Sequence, residues 1–494
     1  MRVLVVLKFL GFLTLVISAW MIVPLIYSAV NGETDAPAFA KSAALGAASG
    51  AALLAAGRGA DMSKMGMREA LMSVSMSWVI ASAVGCAPYL LDGAAPTFAD
   101  AFFEAMSGYT TTGSTILVNL ESLPRGLLLW RALTHWLGGM GIIVLTLTVM
   151  PLIGVGGFQL YSAEAPGMVH EKITPRLQQT AAILWIIYLM LTAALAALLT
   201  AGGMSAYDAV THAMGTISTG GFSPHGMSVA HFDSAYLDWV LIFFMFISGA
   251  NFALHFHALR GRSLKSFFED PEFRFYLALI ASISAAVSLS LYRSGVYGTM
   301  SSALRFGTFQ TVSLVTTTGF VSADYDVWPP FTKALLFVCL FLGGCAGSTS
   351  GAIKQARLLA MGRHIGRHLL RTLYPRAVLP FRFGSQVMEG EVMSSCMAFF
   401  GLYFLVFAAG GFLITLYEPD FVTAISGAAT TLGNVGPGFA RLGPTLSFAD
   451  QACGAKWIYS FLMLCGRLEL YTVLALFSGV FWRDGVTLSN GGKR

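Results

Sequence analysis

Ten runs of about twenty residues, nearly free of charge, recur along this sequence. They lie near 9–30, 38–57, 70–91, 127–153, 180–201, 237–259, 273–293, 332–360, 393–417 and 457–482. About 20 apolar residues in a helix cross the roughly 30 Å hydrocarbon core of a bilayer. Only 11% of the 494 residues are Asp, Glu, Lys or Arg, against about 25% in soluble proteins. That charge cannot solvate a soluble surface of this size, so the fold class expected is an all-α polytopic membrane protein with about ten transmembrane helices.

The positive charges are unevenly placed. Arg2 and Lys8 precede the first run; Arg58, Lys64 and Arg68 follow the second, Lys172 and Arg176 the fourth, and Arg260, Arg262 and Lys265 the sixth. After the eighth come Lys354, Arg357, Arg363, Arg367, Arg371, Arg376 and Arg382, with no acidic residue before Glu389. The positive-inside rule makes these loops and both termini cytoplasmic. Glu33, Asp35, Asp324, Asp326 and Asp450 mark the other face. A net charge of +5 is too small to imply nucleic acid. The Lys354–Arg382 stretch reads either as a topology determinant against anionic headgroups or as a docking surface for a cytoplasmic partner. His364 and His368 within it have no Cys or carboxylate nearby, which argues against a metal pair. Six cysteines without C-x-x-C spacing read as packing residues. The N-terminus has the outline of a signal peptide, but the uncharged run after Lys8 exceeds the usual h-region of about 7–15 residues, so an uncleaved anchor is expected.

Four short segments on the outward side repeat one pattern. They read FFEAMSGYTTTGS from Phe102, VTHAMGTISTGGF from Val210, TFQTVSLVTTTGF from Thr308 and ISGAATTLGNVGP from Ile425. Aligned on their last glycines, they contain the tetrads Thr110, Thr111, Thr112, Gly113; Ser218, Thr219, Gly220, Gly221; Thr316, Thr317, Thr318, Gly319; and Gly433, Asn434, Val435, Gly436. Those glycines stand 108, 98 and 117 residues apart. Thr97 with Asp100, and Ser205 with Asp208, place a hydroxyl N-cap and a carboxylate at the start of a short helix; Asp420 serves the fourth segment and Ser301 or Ser302 the third. Each half-helix points its negative C-terminal end at its tetrad, which favours a cation.

A dehydrated alkali ion needs several oxygens at once, and irregular backbone is tolerated at membrane depth only where it is buried or lines a path. Glycine lets successive carbonyls turn toward one axis, with small Thr and Ser packed behind. No tetrad contains a carboxylate, so carbonyl dipoles would select a monovalent cation. One TTTG reads as loop chemistry or small-residue helix packing; four in register, each behind a capped helix, predict four tandem helix–pore loop–helix units around a pseudo-fourfold pore.

The eighth run contains Gly343, Gly344, Gly347, Ser348, Thr349, Ser350 and Gly351, too poor in helix formers for a continuous helix. It is either a gate on the cytoplasmic side of the filter or a Gly/Ser packing face. Arg467 lies deep in the last run, where a charge costs about 2.5–3.5 kcal/mol, and should face the pore or backbone carbonyls; Glu469, two residues on, lies on another helix face. His255 and His257 read as interface histidines rather than proton sites. No Walker A or post-strand G-x-G-x-x-G occurs, so no nucleotide site is expected in this chain. Without a clustered His, Cys or carboxylate site, an enzyme is not expected. A secondary transporter for an organic substrate would predict inverted repeats and buried charged pairs; these repeats run in one direction, and only Arg467 and Glu469 lie that deep.

These motifs, with His135–Pro151 (HWLGGMGIIVLTLTVMP) and Gly343–Lys354 (GGCAGSTSGAIK), resemble the Trk/Ktr/HKT superfamily of potassium transporters over essentially the whole chain, specifically the TrkH type of bacterial uptake subunit. The two extra N-terminal spans fit that type. The resemblance implies K+ as the transported ion, with glycine at Gly113 rather than the serine that accompanies sodium preference. It further implies an intramembrane loop at Gly343–Gly351 that obstructs the pore, Arg467 beneath the filter as a barrier to cations, a homodimer with one pore per protomer, a TrkA-like cytoplasmic ring that binds nucleotides, and a bacterial inner-membrane location. STGG and GNVG depart from TTTG and argue against strict fourfold symmetry. The expected organisation is a two-helix extension at 1–68 and pore repeats at 69–178, 179–265, 266–385 and 386–494. Channel-like conduction and H+ or Na+ symport are both compatible with this sequence.

Overall fold

A computed structural model describes residues 2–62, 65–141, 177–261, 263–374, 382–383, 386–387 and 390–482. Lys64, Lys172, Arg176, Arg262, Arg376, Glu389 and residues 142–153 of the fourth run lie outside the described residues. The helices are α1 (Val3–Trp20), α2 (Ile22–Asn31), α3 (Ala36–Ala56), α4 (Met67–Gly85), α5 (Ala87–Asp92), α6 (Phe98–Tyr109), α7 (Arg125–Gly139), α8 (Leu177–Ala201), α9 (Ala206–Ile217), α10 (Ala235–Ser248), α11 (Phe252–Gly261), α12 (Lys265–Glu269), α13 (Pro271–Arg293), α14 (Met300–Val315), α15 (Pro330–Cys339), α16 (Gln355–Leu373), α17 (Gly390–Ile414), α18 (Phe421–Gly433), α19 (Cys453–Arg467), α20 (Tyr471–Leu474) and α21 (Gly479–Trp482). Among the described residues, two short strands, Arg382–Phe383 and Gln386–Val387, pair antiparallel in the otherwise helical architecture.

Among the described residues, six stretches are long and apolar enough to cross a bilayer: Val3–Asn31, Ala36–Ala56, Met67–Asp92, Thr180–Ala201, Pro271–Arg293 and Met393–Ile414. Two further spans are bent, by 98° between α10 and α11 and by 113° after α19. The runs at 237–259, 332–360 and 457–482 are therefore not continuous helices. They break at Gly249–Asn251, Leu340–Lys354 and Leu468–Leu470. Large apolar side chains such as Phe243, Leu405 and Phe412 are exposed on the outer surface, where lipid replaces water.

The short helices α6, α9, α14 and α18 sit at the centre. α6 packs on α4, α7 and α19; α9 on α8, α10 and α7; α14 on α13, α15 and α10; and α18 on α17 and α19. Each thus lies between the long helix before it and the helix after it, and the first three also touch the following helix of the preceding unit. The N-terminal hairpin packs α1 on α3 and α4. A Cβ on Gly11 would lie 2.7 Å from Leu54 N, so only glycine permits this approach.

Three ion pairs form within the bundle: Glu104, Arg131, Asp100, Lys456 and Asp238 are buried, while Arg305 keeps partial exposure. Arg131 Nε donates to Glu104 Oε1 at 2.8 Å, Lys456 Nζ to Asp100 Oδ1 at 2.6 Å, and Arg305 Nε to Asp238 Oδ2 at 2.6 Å. Arg467 and Glu469 are thus not the only deep charges: the ion pairs satisfy each other, which lets them leave water. Asp35, expected on the outward surface, is also buried and accepts from Leu127 N at 2.8 Å. It neutralises the open N-terminal turn of α7 from 92 residues away.

Candidate functional site

The four central helices begin with side-chain caps. Thr97, Ser205 and Asp420 accept from Asp100 N, Asp208 N and Thr423 N, as the cap pattern predicts. In the third helix the cap is Thr299, which accepts from Ser302 N at 3.2 Å, rather than Ser301 or Ser302. The helix starts earlier than expected because Thr299 stands at the same three-residue spacing as Thr97 and Ser205.

At their C-terminal ends the helices deliver four tetrads with one backbone geometry. Positive φ falls at the second and fourth positions each time: Thr111 and Gly113, Thr219 and Gly221, Thr317 and Gly319, Asn434 and Gly436. Alternation of this kind turns successive carbonyls toward the same side. The third-position amides are absorbed behind: Thr112 N donates to Ser107 O at 2.9 Å, Gly220 N to Gly215 O at 2.8 Å, Thr318 N to Ser313 O at 2.8 Å and Val435 N to Thr430 O at 2.9 Å. Among the described residues, no backbone N–H bonds the second- or third-position carbonyls, and all of these save Gly220 O, which faces the buried His135 ring, remain able to solvate a cation.

The tetrads also form a closed ring. A Cβ added to Gly113 would lie 2.3 Å from Gly220 O, one on Gly221 1.9 Å from Thr318 O, one on Gly319 2.1 Å from Val435 O, and one on Gly436 2.7 Å from Thr112 O. Each fourth-position glycine thus abuts the third-position carbonyl of the next unit, and the last abuts the first. All four glycines line one small cavity with Ser114, Arg131, Phe222 and His225. Glu104 holds its rim by accepting from Arg131 and from Ile116 N at 2.9 Å, while Arg131 Nη1 donates to Ser223 O at 3.0 Å. Outside the ring, Gly226 N donates to Glu121 at 2.8 Å and holds that carboxyl below its ordinary range.

Beneath the ring, Leu340–Lys354 is a non-helical loop folded on itself. Gly343 N donates to Ile353 O at 2.9 Å, Gln355 Nε2 to Gly343 O at 2.6 Å, and Lys354 Nζ to Ser350 O. The buried Glu272 carboxylate accepts from Ala346 N at 2.7 Å and Ala356 N at 2.8 Å, fastening the middle of the loop to the start of α16. Arg467 reaches under the ring: Nη1 donates to Thr349 O at 2.7 Å and Thr111 Oγ1 at 3.1 Å, and Nη2 to Gly138 O at 2.7 Å and Gly139 O at 3.1 Å. Glu469 pairs with Arg357 instead. Gly347–Gly351, Arg467 and Lys354 line a cavity of about 210 Å³. His255 Nε2 bonds Ile247 O at 2.9 Å across the bend after α10, a packing role.

The tetrads, the loop and Arg467, selected separately in sequence, therefore meet on one path. Missed were the glycines under the other units. Cβ atoms on Gly138 and Gly466 would lie 1.8 Å and 2.0 Å from Tyr109 O and Leu432 O, and Gly249 lies under Thr316. Their signal is a small-residue cluster at a similar station of each unit: GGMG, SGAN, GGCAG, CGR. Glu272 carried no such signal.

Residues 36–484 match the TrkH family, described as a cation transport protein. The chain is 38% identical to "Trk system potassium uptake protein TrkH" of Salmonella typhimurium over 97% of this chain and 99% of that one. It is 37% identical to the protein of the same name from Halomonas elongata over 98% and 100%. The crystal structure of the potassium transporter TrkH from Vibrio parahaemolyticus superposes with a TM-score of 0.88 at 34% identity, covering 98% of this chain and 100% of that chain. With sequence agreement along nearly its full length and the same fold, this multi-pass membrane protein belongs to the TrkH family of cation transport proteins.

Proposed function

We propose that this protein takes up potassium across the bacterial inner membrane, with both termini cytoplasmic. The sixteen tetrad residues form its filter, and Gly343–Gly351 with Arg467 form its gate. The closed ring of four tetrads with matched backbone alternation carries this reading. It offers rings of uncharged carbonyl oxygens at the negative ends of four helices, an environment suited to a dehydrated monovalent cation. Gate function is supported by placement: loop and guanidinium lie directly under the ring, and a fixed positive charge there opposes a cation. Flux through the purified protein in liposomes tests the filter, with K+ expected to exceed Na+ and Li+; equal permeation of all three overturns it.

The names of the relatives, as subunits of a Trk system, support a regulated assembly. The proposed form is a homodimer controlled by a TrkA-like cytoplasmic nucleotide-binding ring that docks on the basic Lys354–Arg382 segment. Charge reversal at Arg363, Arg367 and Arg371 is expected to uncouple nucleotide control, and unchanged control removes the docking surface. Symport with H+ or Na+ is the second reading. The buried pairs Glu104–Arg131 and Asp100–Lys456 favour considering it, since such pairs recur in coupled transporters. Reversal potentials that follow imposed pH or Na+ gradients would establish it.

A further inference from the structure

The gate candidates do not merely lie near the filter; they are hydrogen-bonded to it through one class of side chain. Gly351 N donates to Thr317 Oγ1 at 2.7 Å. The hydroxyls of Thr219 and Thr349 lie 3.2 Å apart, and Thr349 also donates to Ile217 O, the last residue of α9, at 3.1 Å. Arg467 Nη1 donates to Thr111 Oγ1 at 3.1 Å. Thr111, Thr219 and Thr317 are all second-position residues, held at φ +52°, +54° and +56°. That left-handed backbone, unfavourable for a β-branched residue, recurs in three units whose side chains all engage what lies below. The fourth unit differs: Asn434 donates to Thr112 Oγ1 in the ring and to Met463 O on α19, both at 2.9 Å, bracing the ring against that helix.

We infer that the second-position hydroxyls of the first three tetrads are a latch between filter and gate. They hold Arg467 and Thr349–Gly351 against the underside of the ring when the path is closed, and they must release before it opens. The inference rests on the gate reading above and goes beyond it. The closed state is stabilised by the filter, so opening is coupled to filter side chains that lie outside the backbone selecting the ion. Asn434 is the stationary member of the set.

The test uses the full-length protein in liposomes without any partner, and reads basal K+ flux. Thr317→Val removes one buried hydrogen bond and Thr219→Val removes two, to Thr349 Oγ1 and to Ser218 O at 2.7 Å; each should raise basal flux roughly three- to tenfold by favouring the open population. Thr317→Ser, which keeps the hydroxyl, should raise it less than Thr317→Val. Hydrogen exchange at the Gly351 amide should accelerate in Thr317→Val by a similar factor. Arg467→Ala tests the underlying gate independently. If it raises flux while the valine variants change neither flux nor Gly351 exchange, the latch is overturned and the gate stands. If it leaves flux unchanged, the gate reading fails and takes the latch with it. Equal rises in the Ser and Val variants, or a rise accompanied by loss of K+ preference over Na+, also overturn the latch, since they report filter collapse. If Thr317→Val fails to fold, Thr219→Val and its effect on Thr349 decide the matter.

Discussion

The tetrads and the helix breaks beneath them differ in an instructive way. Above, four tetrads of three different sequences, TTTG twice, STGG and GNVG, adopt one conformation, with positive φ at the same two positions. Below, three of the four similar small-residue clusters adopt three different structures among the described residues. Helix α10 bends by 98°, α19 bends after Arg467 by 113°, and the third unit opens a fifteen-residue loop from Leu340 to Lys354. On the proposed reading, carbonyls that act together on one small ion leave little freedom, so the upper tier tolerates different side chains but a single backbone. No such common ligand constrains the lower tier, so its units diverge, and the asymmetric parts, Arg467 and the loop, lie there.

This contrast is open to attack at several points. The largest effect is expected at the upper tier. Gly221→Ala places a Cβ 1.9 Å from Thr318 O at φ +82°, whereas Gly436→Ala meets Thr112 O at 2.7 Å. A left-handed non-glycine residue costs about 1–2 kcal/mol before any clash. K+ flux should therefore fall about 100-fold or more in Gly221→Ala and about tenfold in Gly436→Ala; equal losses would deny that ring contact governs the site. Next, Arg131→Met strands the buried Glu104 carboxylate at the ring's rim. It should cost about 3–5 kcal/mol in denaturation of the solubilised protein, with most of the loss recovered when Glu104→Leu is added. A single variant as stable as the parent would show that the upper tier does not depend on this brace. At the lower tier, Glu272→Ala frees Ala346 N and Ala356 N, removing hydrogen bonds to a charged acceptor worth about 1.5–3 kcal/mol each. Basal flux should rise several-fold while ion preference is kept. The smallest effect belongs outside both tiers. Glu121→Gln should reduce uptake by about twofold at low ionic strength and less at high salt. Because Gly226 N–H holds the Glu121 carboxyl below its ordinary value, the wild-type mouth keeps this charge as external pH falls through the usual carboxylate range and loses it only below. An uptake step in the wild type at ordinary carboxylate pH that is absent from Glu121→Gln would contradict that.

Much of the upper tier was legible in sequence because its signals are local. The Thr/Gly tetrads, the hydroxyl caps at Thr97 and Ser205, and the carboxylate cap at Asp420 lie within a few residues of what they stabilise. Even the misplaced third cap had a local signal, since Thr299 and Ser302 repeat the spacing of Thr97 and Asp100. The lower tier was harder to see. A single Gly249 or Gly466 barely alters the hydropathy of its run, and the bends arise from close approach to residues far away in sequence. Glu469 and Leu470 adopt φ of +53° and +65° only in that tertiary setting. Buried pairs were hidden for the same reason: Glu104 and Arg131 stand 27 residues apart on different helices, and neither run betrays the other's charge.

The ring contact between Gly436 and Thr112 joins the last tetrad to the first across most of the chain's length. During synthesis, therefore, the ring of tetrads, and with it the proposed filter, does not exist until the fourth unit has emerged and closed the circle. A nascent chain with three units inserted presents an incomplete ring, with one flank of Gly319 and one of Thr112 unmatched. Completion of the polypeptide and creation of the pathway become one event, which spares the membrane a partly assembled, unselective leak.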